Sequence, residues 1–264
     1  METILDKIIA VKKKEVEELR GMEIRPASLE VNQRRSFIEK LERATDLSII
    51  AEFKRASPSK GDINPNIDPS VQTKLYVDAG ADAVSVLTDQ TFFKGTMTDL
   101  THVRATIDNP ILCKDFIIDP IQIDRAKQAG ADIILLIAAA LDDETLNTLY
   151  QYAIAKELDV LMEVHNEEEA ERVLKTNNRL IGVNNRNLKT FEVNLDVTEG
   201  LAPLIKNEGR FLISESGIKT TDDVKRVINA GANGILVGET FMRHESPRDV
   251  IKTMKIPLVE VMKR

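Results

Sequence analysis

The sequence predicts an α/β fold, a single (β/α)8 barrel with a helical extension at its N-terminus. Three observations predict it. Strand-like and helix-like segments alternate from residue 48 onward, a pattern that gives a parallel sheet with right-handed crossovers and, at eight units, a closed barrel. A short motif recurs at the end of three helical segments, as Ala79-Gly80-Ala81-Asp82, Ala129-Gly130-Ala131-Asp132 and Ala230-Gly231-Ala232-Asn233. Five apolar runs each deliver a charged or strongly polar residue near their end, among them Glu52, Lys114, Glu163, Asn184 and Glu215.

The elements follow in order. Leu5, Ile8, Ile9, Lys12, Val16 and Leu19 recur at helical spacing, and a second helical pattern runs from Phe37 through Leu41. Both precede the first strand, and we expect them to cover one end of the barrel, with Lys12-Lys13-Lys14 on a solvated helix face. Apolar runs bounded by turn residues predict strands at 48–53, 82–87, 111–115, 132–137, 159–163, 180–184, 211–215 and 234–237. Helical patterns lie between most of them, at Pro69–Ala79, Pro120–Ala129, Asp143–Glu157, Glu167–Lys175 and Thr221–Ala230. Glycine in the recurring motif supplies the left-handed helix cap that turns the chain back toward the sheet. Nothing resembles an interdomain linker, so residues 1–264 are expected to form one domain, with 1–46 as its helical extension.

Composition narrows the function classes. The chain has 264 residues, 42% apolar and 30% charged, with a formal net charge of −7. An acidic chain is a poor match for the phosphate backbone of nucleic acids, and with no Trp and three Tyr it lacks a base-stacking platform. Cys113 is the lone cysteine and reads as a small core residue. The N-terminus has no signal-peptide core, no stretch approaches the roughly 20 apolar residues of a membrane span, and a cytoplasmic setting is expected.

A charge inside a buried strand loses its water and is retained where it pairs or faces a polar cavity. Residues two apart in a strand share a face, so Glu52 and Lys54 point the same way and Phe53 points outward to the helices. Ala56-Ser57-Pro58-Ser59-Lys60-Gly61 is a loop of small polar residues suited to closing over an anion. Lys114 among apolar strand ends would lose solvation, which lowers its pKa, while a neighbouring Glu would oppose that shift. Three carboxylates (Glu52, Glu163, Glu215) and two lysines converging on one mouth suit acid/base chemistry. Glycine turns after the seventh and eighth strands, Glu215-Ser216-Gly217 and Val237-Gly238-Glu239-Thr240, lie where barrel enzymes bind phosphate, with residues 240–243 as a short extra helix. His102, His165 and His244 show no metal-ligand spacing, and His165 reads as a loop histidine.

Taken in order along the chain, the segments Ala51–Gly61, Leu112–Asp119, Leu161–His165, Ile181–Leu188 and Ser214–Ile218 resemble the indole-3-glycerol-phosphate synthase family of tryptophan biosynthesis. The resemblance implies a carboxy-lyase. It would close the ring of 1-(2-carboxyphenylamino)-1-deoxyribulose 5-phosphate to indole-3-glycerol phosphate, losing carbon dioxide and water, with no cofactor and no metal. It implies Lys114 as general acid, Glu163 as general base in the dehydration, and Lys54 on the substrate's anionic groups. Glu52 and Glu215 would hold the lysines and the substrate, and Asn184, Arg186 and Ser57 would line the site. Ser216, Gly217, Gly238 and the N–H of Glu239 would join Lys54 at the phosphate. Pro58, Phe93, Phe116, Leu135, Ile137 and Leu188 would form the slot for the aromatic ring. The partner is a phosphorylated small molecule rather than nucleic acid or membrane; a monomer is compatible with the sequence, which leaves the oligomeric state open. Rival readings are another phosphosugar barrel enzyme such as phosphoribosylanthranilate isomerase, a Schiff-base lyase using Lys114 as nucleophile, and a non-catalytic barrel. The first shares the phosphate loops without needing the Glu52, Lys54, Lys114 and Glu163 set, the second predicts borohydride trapping, and the third predicts no turnover.

Overall fold

A computed structural model of the chain describes residues 3–21 and 34–258. Helices α1 (Ile4–Arg20) and α2 (Phe37–Arg43) precede the barrel. The eight strands are β1 (Ser48–Phe53), β2 (Ala83–Leu87), β3 (Ile111–Lys114), β4 (Ile133–Ile137), β5 (Asp159–Val164), β6 (Leu180–Asn184), β7 (Phe211–Glu215) and β8 (Gly234–Val237). Each pairs in parallel with its neighbours in sequence, and β1 closes the barrel against β8. The chain between strands supplies α3 (Pro69–Asp78), α4 (Gln90–Phe93), α5 (Met97–Thr106), α6 (Pro120–Ala129), α7 (Asp143–Ala155), α8 (Glu167–Leu174), α9 (Asp196–Asn207) and α10 (Thr221–Ala230). After β8 come the short α11 (Glu239–Arg243) and α12 (Pro247–Met254). This is the predicted (β/α)8, or TIM, barrel.

Strand alternation divides the core in two. Inward residues, including Ile50, Leu112, Leu135, Leu161, Leu180, Ile213 and Leu236, fill the barrel. Outward residues, Phe53 and Cys113 among them, pack against the helices. Each fully buried aliphatic side chain in these layers favours folding by roughly 1.5–3 kcal/mol.

The recurring four-residue motif has two structural tasks. Its glycines adopt the left-handed conformation, with φ of 110° at Gly80, 97° at Gly130 and 108° at Gly231. Its fourth residue ties neighbouring strands at the N-terminal rim. Asp82 accepts from the Ile49 amide at 2.8 Å, Asp132 from the Ile111 amide at 3.0 Å and Asn233 from the Leu212 amide at 3.0 Å. Short polar side chains satisfy backbone donors that no strand pairing reaches.

Two expectations about the N-terminal helices are corrected. They cover opposite ends of the barrel, not one. Phe37 and Leu41 of α2 join the interior cluster from below, and the Phe37 amide and the Ser36 hydroxyl both donate to Asp159 at the start of β5. Helix α1, capped by a reciprocal Thr3–Asp6 pair, lies at the other end, where Ile4, Leu5 and Ile8 reach the mouth. Nor is Lys12 solvated. Lys13 and Lys14 are exposed, but Lys12 is 2% exposed, with Nζ 2.8 Å from Glu15, 2.9 Å from Asp89 and 2.9 Å from Asp115. Burial works against its charge, but the neighbouring acids outweigh burial and raise its pKa.

Candidate active site

The C-terminal ends of the strands open into a cavity of about 630 Å³, within the range of small-molecule sites. Every residue assigned to the site from sequence lines it. They are Glu52, Lys54, Ser57, Pro58 and Phe93; Lys114, Phe116, Leu135, Ile137 and Glu163; Asn184, Arg186, Leu188, Glu215 and Ser216; and Gly217, Gly238 and Glu239. They meet because parallel strands in register bring one end of each to a common level. Ile137 stands beside Glu163, Glu163 beside Gly182, and Asn184 beside Glu215.

At the centre Lys114 Nζ lies 2.9 Å from Glu163 Oε2 and 2.7 Å from Glu215 Oε2. Lys54 Nζ pairs separately with Glu52 Oε1 at 2.6 Å. The Asn184 amide donates to Glu163 Oε1 at 3.0 Å, and its carbonyl oxygen accepts from the Arg186 backbone at 3.0 Å. Glu215 Oε1 is buried with no hydrogen-bond partner among the described residues. Two glycines make room for this arrangement. A Cβ on Gly182 would stand 2.1 Å from Glu215 Oε1, and one on Gly238 would stand 2.3 Å from Glu52 Oε1.

The electrostatics separate the two carboxylates that share Lys114. Burial pushes Glu215 up to about 7; Lys114 offsets part of that, while the negative charge of Glu163 and Glu52 adds to it. Glu163 moves the other way, below the usual carboxylate range, because Lys114 and then His165 outweigh its burial. Neighbouring acids pushed apart in this way are suited to different protonation tasks. Lys114 resolves the balance left open by sequence. Burial favours the neutral amine, but Glu163, Glu215 and Glu52 together raise its pKa and keep it an ammonium.

The turn after β7 holds Ser216 and Gly217 both in the left-handed region, at φ 65° and 87°. For a serine that costs on the order of 1–3 kcal/mol, the kind of strain that clusters at ligand sites. The loop after β1 folds into a small hairpin pairing Ala56–Ser57 with Gly61–Asp62. Its base is anchored by Arg55, whose guanidinium donates to both oxygens of Asp99 at 2.6 and 2.8 Å. The Glu239 side chain turns to Lys60 and Arg243, 3.6 and 3.4 Å away. On the apolar side the rings of Phe93 and Phe116 stand 5.9 Å apart.

Sequence reasoning missed several groups at the mouth. Ile4, Leu5 and Ile8 come from α1, Phe191 and Val193 from the long loop after β6, and Lys219 from the loop after β7. His165 does lie in the loop after β5, as expected, but its ring is engaged there: Nε2 lies 3.3 Å from Glu163 Oε1 and Nδ1 3.0 Å from Glu169 Oε2. The spacing of Glu163 and His165, two apart at a strand end, was the available signal.

Comparisons with known proteins converge. Residues 5–254 match the family model described as indole-3-glycerol phosphate synthase. The chain is 53% identical over 251 residues to the indole-3-glycerol phosphate synthase of Exiguobacterium sibiricum, covering 95% of this chain and 96% of that one. It is 52% identical over 256 residues to the protein of the same name from Bacillus mycoides, covering 97% and 99%. Among solved structures, thiamine phosphate pyrophosphorylase from Pyrococcus furiosus matches with a TM-score of 0.60 at 17% identity, over 82% of this chain and 96% of that one. That likeness speaks to the barrel alone.

Proposed function

The chain belongs to the indole-3-glycerol phosphate synthase family, and from that premise we propose how its mouth divides the labour of the family's carboxy-lyase reaction. The substrate is a carboxyphenylamino deoxyribulose phosphate; the products are indole-3-glycerol phosphate, carbon dioxide and water. Lys114 gives a proton to the ribulose carbonyl oxygen as the carboxylate-bearing ring carbon attacks the carbonyl carbon. The new carbon–carbon bond is followed by loss of carbon dioxide, which restores the aromatic ring. In the dehydration the hydroxyl takes up a proton from an ammonium of the mouth and leaves as water, while Glu163 takes the proton lost from the adjacent CH2 group, so that step consumes no net proton.

The observation that carries this reading is Lys114 held between Glu163 and Glu215, 2.9 and 2.7 Å away. An ammonium that carboxylates keep protonated is a proton donor aimed into the cavity, and a carboxylate kept anionic by cations is a base. Glu215 fixes Lys114 from the other side. Glu52 holds Lys54, which meets the anionic groups of the substrate. Asn184 orients Glu163, and Arg186 and Ser57 contact the substrate's polar groups. The backbone at Ser216, Gly217, Gly238 and Glu239 binds phosphate, beside Lys54. Pro58, Phe93, Phe116, Leu135, Ile137 and Leu188 enclose the aromatic ring, where an apolar wall favours loss of the dispersing carboxylate charge. We read the chain as one domain, on the support of helices packed around a single closed sheet. A cytoplasmic location is proposed on the support of bacterial biosynthetic relatives.

The test is to mix protein and substrate without metal or nucleotide and follow indole fluorescence. We expect a rise, and near-total loss of it in Lys114→Ala with the circular dichroism spectrum retained. Near-normal turnover by the folded variant would remove Lys114 from the acid role.

A further inference from the structure

We infer that His165 is a positioning residue for Glu163, an imidazolium clamped between two carboxylates that keeps the base anionic while Lys114 gives up its proton. The inference rests on the reading of Glu163 as the base. The ring is 11% exposed and has a carboxylate at each nitrogen. On one side Glu169 Oε2 accepts from the His165 backbone amide at 2.8 Å and lies 3.0 Å from Nδ1. Glu169 is itself fixed at the start of α8. Its Oε1 accepts from the Asn166 side chain at 2.7 Å, and its amide donates back to Asn166 at 2.9 Å. On the other side Nε2 faces Glu163 Oε1 at 3.3 Å, an ion-pair approach rather than a formed hydrogen bond.

An ionised carboxylate only accepts, so Nδ1 donates to Glu169, and the negative charge of Glu163 beside Nε2 favours a proton there as well. Burial opposes that charge, but Glu163 and Glu169 outweigh it and push the ring pKa up to about 10. Asn184 of β6 adds a neutral donor at Glu163 Oε1, and the cation of α8, Arg172, is engaged by the Ala138 and Leu141 carbonyls and by Asp143. Lys114 meets Glu163 on its opposite oxygen, Oε2.

The division of oxygens has a chemical consequence. When the Lys114 ammonium passes its proton to the substrate oxygen, it becomes a neutral amine and Glu163 loses one of its two cations. A carboxylate with no other positive neighbour, buried as Glu163 is, would then favour protonation and stop being a base. His165 remains on Oε1 throughout and holds the negative charge in place for the dehydration.

The experiment is the pH dependence of kcat for His165→Gln and Glu169→Gln, measured beside Glu163→Gln. The Gln at 165 places an amide near the Nε2 position and keeps a donor to Glu163 while removing the charge. We expect KM to stay within about two-fold and the acidic limb of kcat to move upward by about one pH unit, the effect of removing a cation from a carboxylate. Glu169→Gln retains the histidine, which stays protonated beside Glu163 at acidic pH, so its acidic limb should not move upward. Ring-nitrogen NMR of the parent at pH 8 should show both His165 nitrogens protonated. A neutral ring at pH 8, or an unmoved limb in folded His165→Gln while Glu163→Gln is inactive, overturns the role of His165 and leaves Glu163 as the base. Full turnover by Glu163→Gln removes the base assignment instead, and the role of His165 with it.

Discussion

Lys114 is held by two buried acids, and removing it therefore has a cost beyond chemistry. Breaking a buried ion pair from one side costs about 3–5 kcal/mol, because the partner charge is left without compensation. In Lys114→Ala Glu215 would be stranded while Glu163 keeps His165, so we expect the variant to fold but with stability lower by about 3 kcal/mol at pH 8. The sign with pH follows. Without the ammonium Glu215, already pushed up to about 7 by burial, lies still further above the unfolded value of about 4.3, so the folded state holds a proton that the unfolded state releases, and stability falls as pH rises through that window. The deficit against the parent should thus shrink at pH 5. Denaturant unfolding at the two pH values checks this, and a deficit that grows on acidification would contradict the ion-pair geometry. Gly182 carries the second residue-scale prediction. The methyl group of Gly182→Ala would stand 2.1 Å from Glu215 Oε1, so that side chain must swing away and release Lys114 on one side. We expect turnover to fall by at least about ten-fold, the effect of roughly 1.4 kcal/mol at the transition state, with the barrel's circular dichroism unchanged. Parent-like turnover would mean that the Glu215 position is immaterial. Nothing in sequence singled out Gly182, because its reason is a side chain from the neighbouring strand.

At the scale of elements, α1 is a lid piece pinned by one buried lysine. Lys12 joins the helix to Asp89 and Asp115, which hold the loops carrying Phe93 and Phe116. Asp89 caps α4 by accepting from the Phe92 amide at 2.7 Å, and Asp115 accepts from the Thr88 hydroxyl at 2.6 Å. Replacing Lys12 by Met, of similar length, strands both acids. We expect a loss of about 3–5 kcal/mol in stability and a rise in KM that exceeds any fall in kcat, since Ile4, Leu5 and Ile8 line the cavity. Lys13→Met, on the exposed face, is the control and should change stability by less than about 0.5 kcal/mol. Equal effects at the two positions would remove the pin. Lys12 was legible in principle. It falls in the stripe Leu5, Ile8, Lys12, Val16, and a lysine at an apolar position of a helix asks for buried acids. Its run of three lysines suggested solvent instead, and only tertiary structure shows the acids waiting on other loops. Strands and most barrel helices, by contrast, were readable to within a residue or two, because alternation, caps and the glycine motif are local signals.

For the whole molecule, the site was largely legible because a parallel barrel sends every strand end to the same face, so polar residues at strand ends must meet. Which helix crosses that face was not, since it depends on how α1 packs after the barrel has closed. The same gathering of strand ends gives the mouth a charge unlike that of the protein around it. The chain as a whole carries −7, yet Lys54, Lys60, Lys114, Arg186, Lys219 and Arg243 line the cavity against five acidic residues. A substrate with a carboxylate and a phosphate is repelled by the molecule at long range and drawn in near the opening. Among the described residues four of these cations are in no buried ion pair: Arg186 hydrogen-bonds to the Phe191 carbonyl, Lys219 sits exposed after β7, and Lys60 and Arg243 meet only the half-exposed Glu239. Charges in this position are screened by salt over a Debye length of about 8 Å at physiological ionic strength, whereas the buried Lys114 cluster is screened far less. Raising salt from about 0.02 M to about 0.5 M should lower kcat/KM several-fold through KM while kcat changes by less than about two-fold. Lys219→Met should flatten that dependence without altering kcat at saturation. A fall in kcat at constant KM would instead place the salt-sensitive charges in the chemical step, and would mean that the exposed rim plays no part in gathering the substrate.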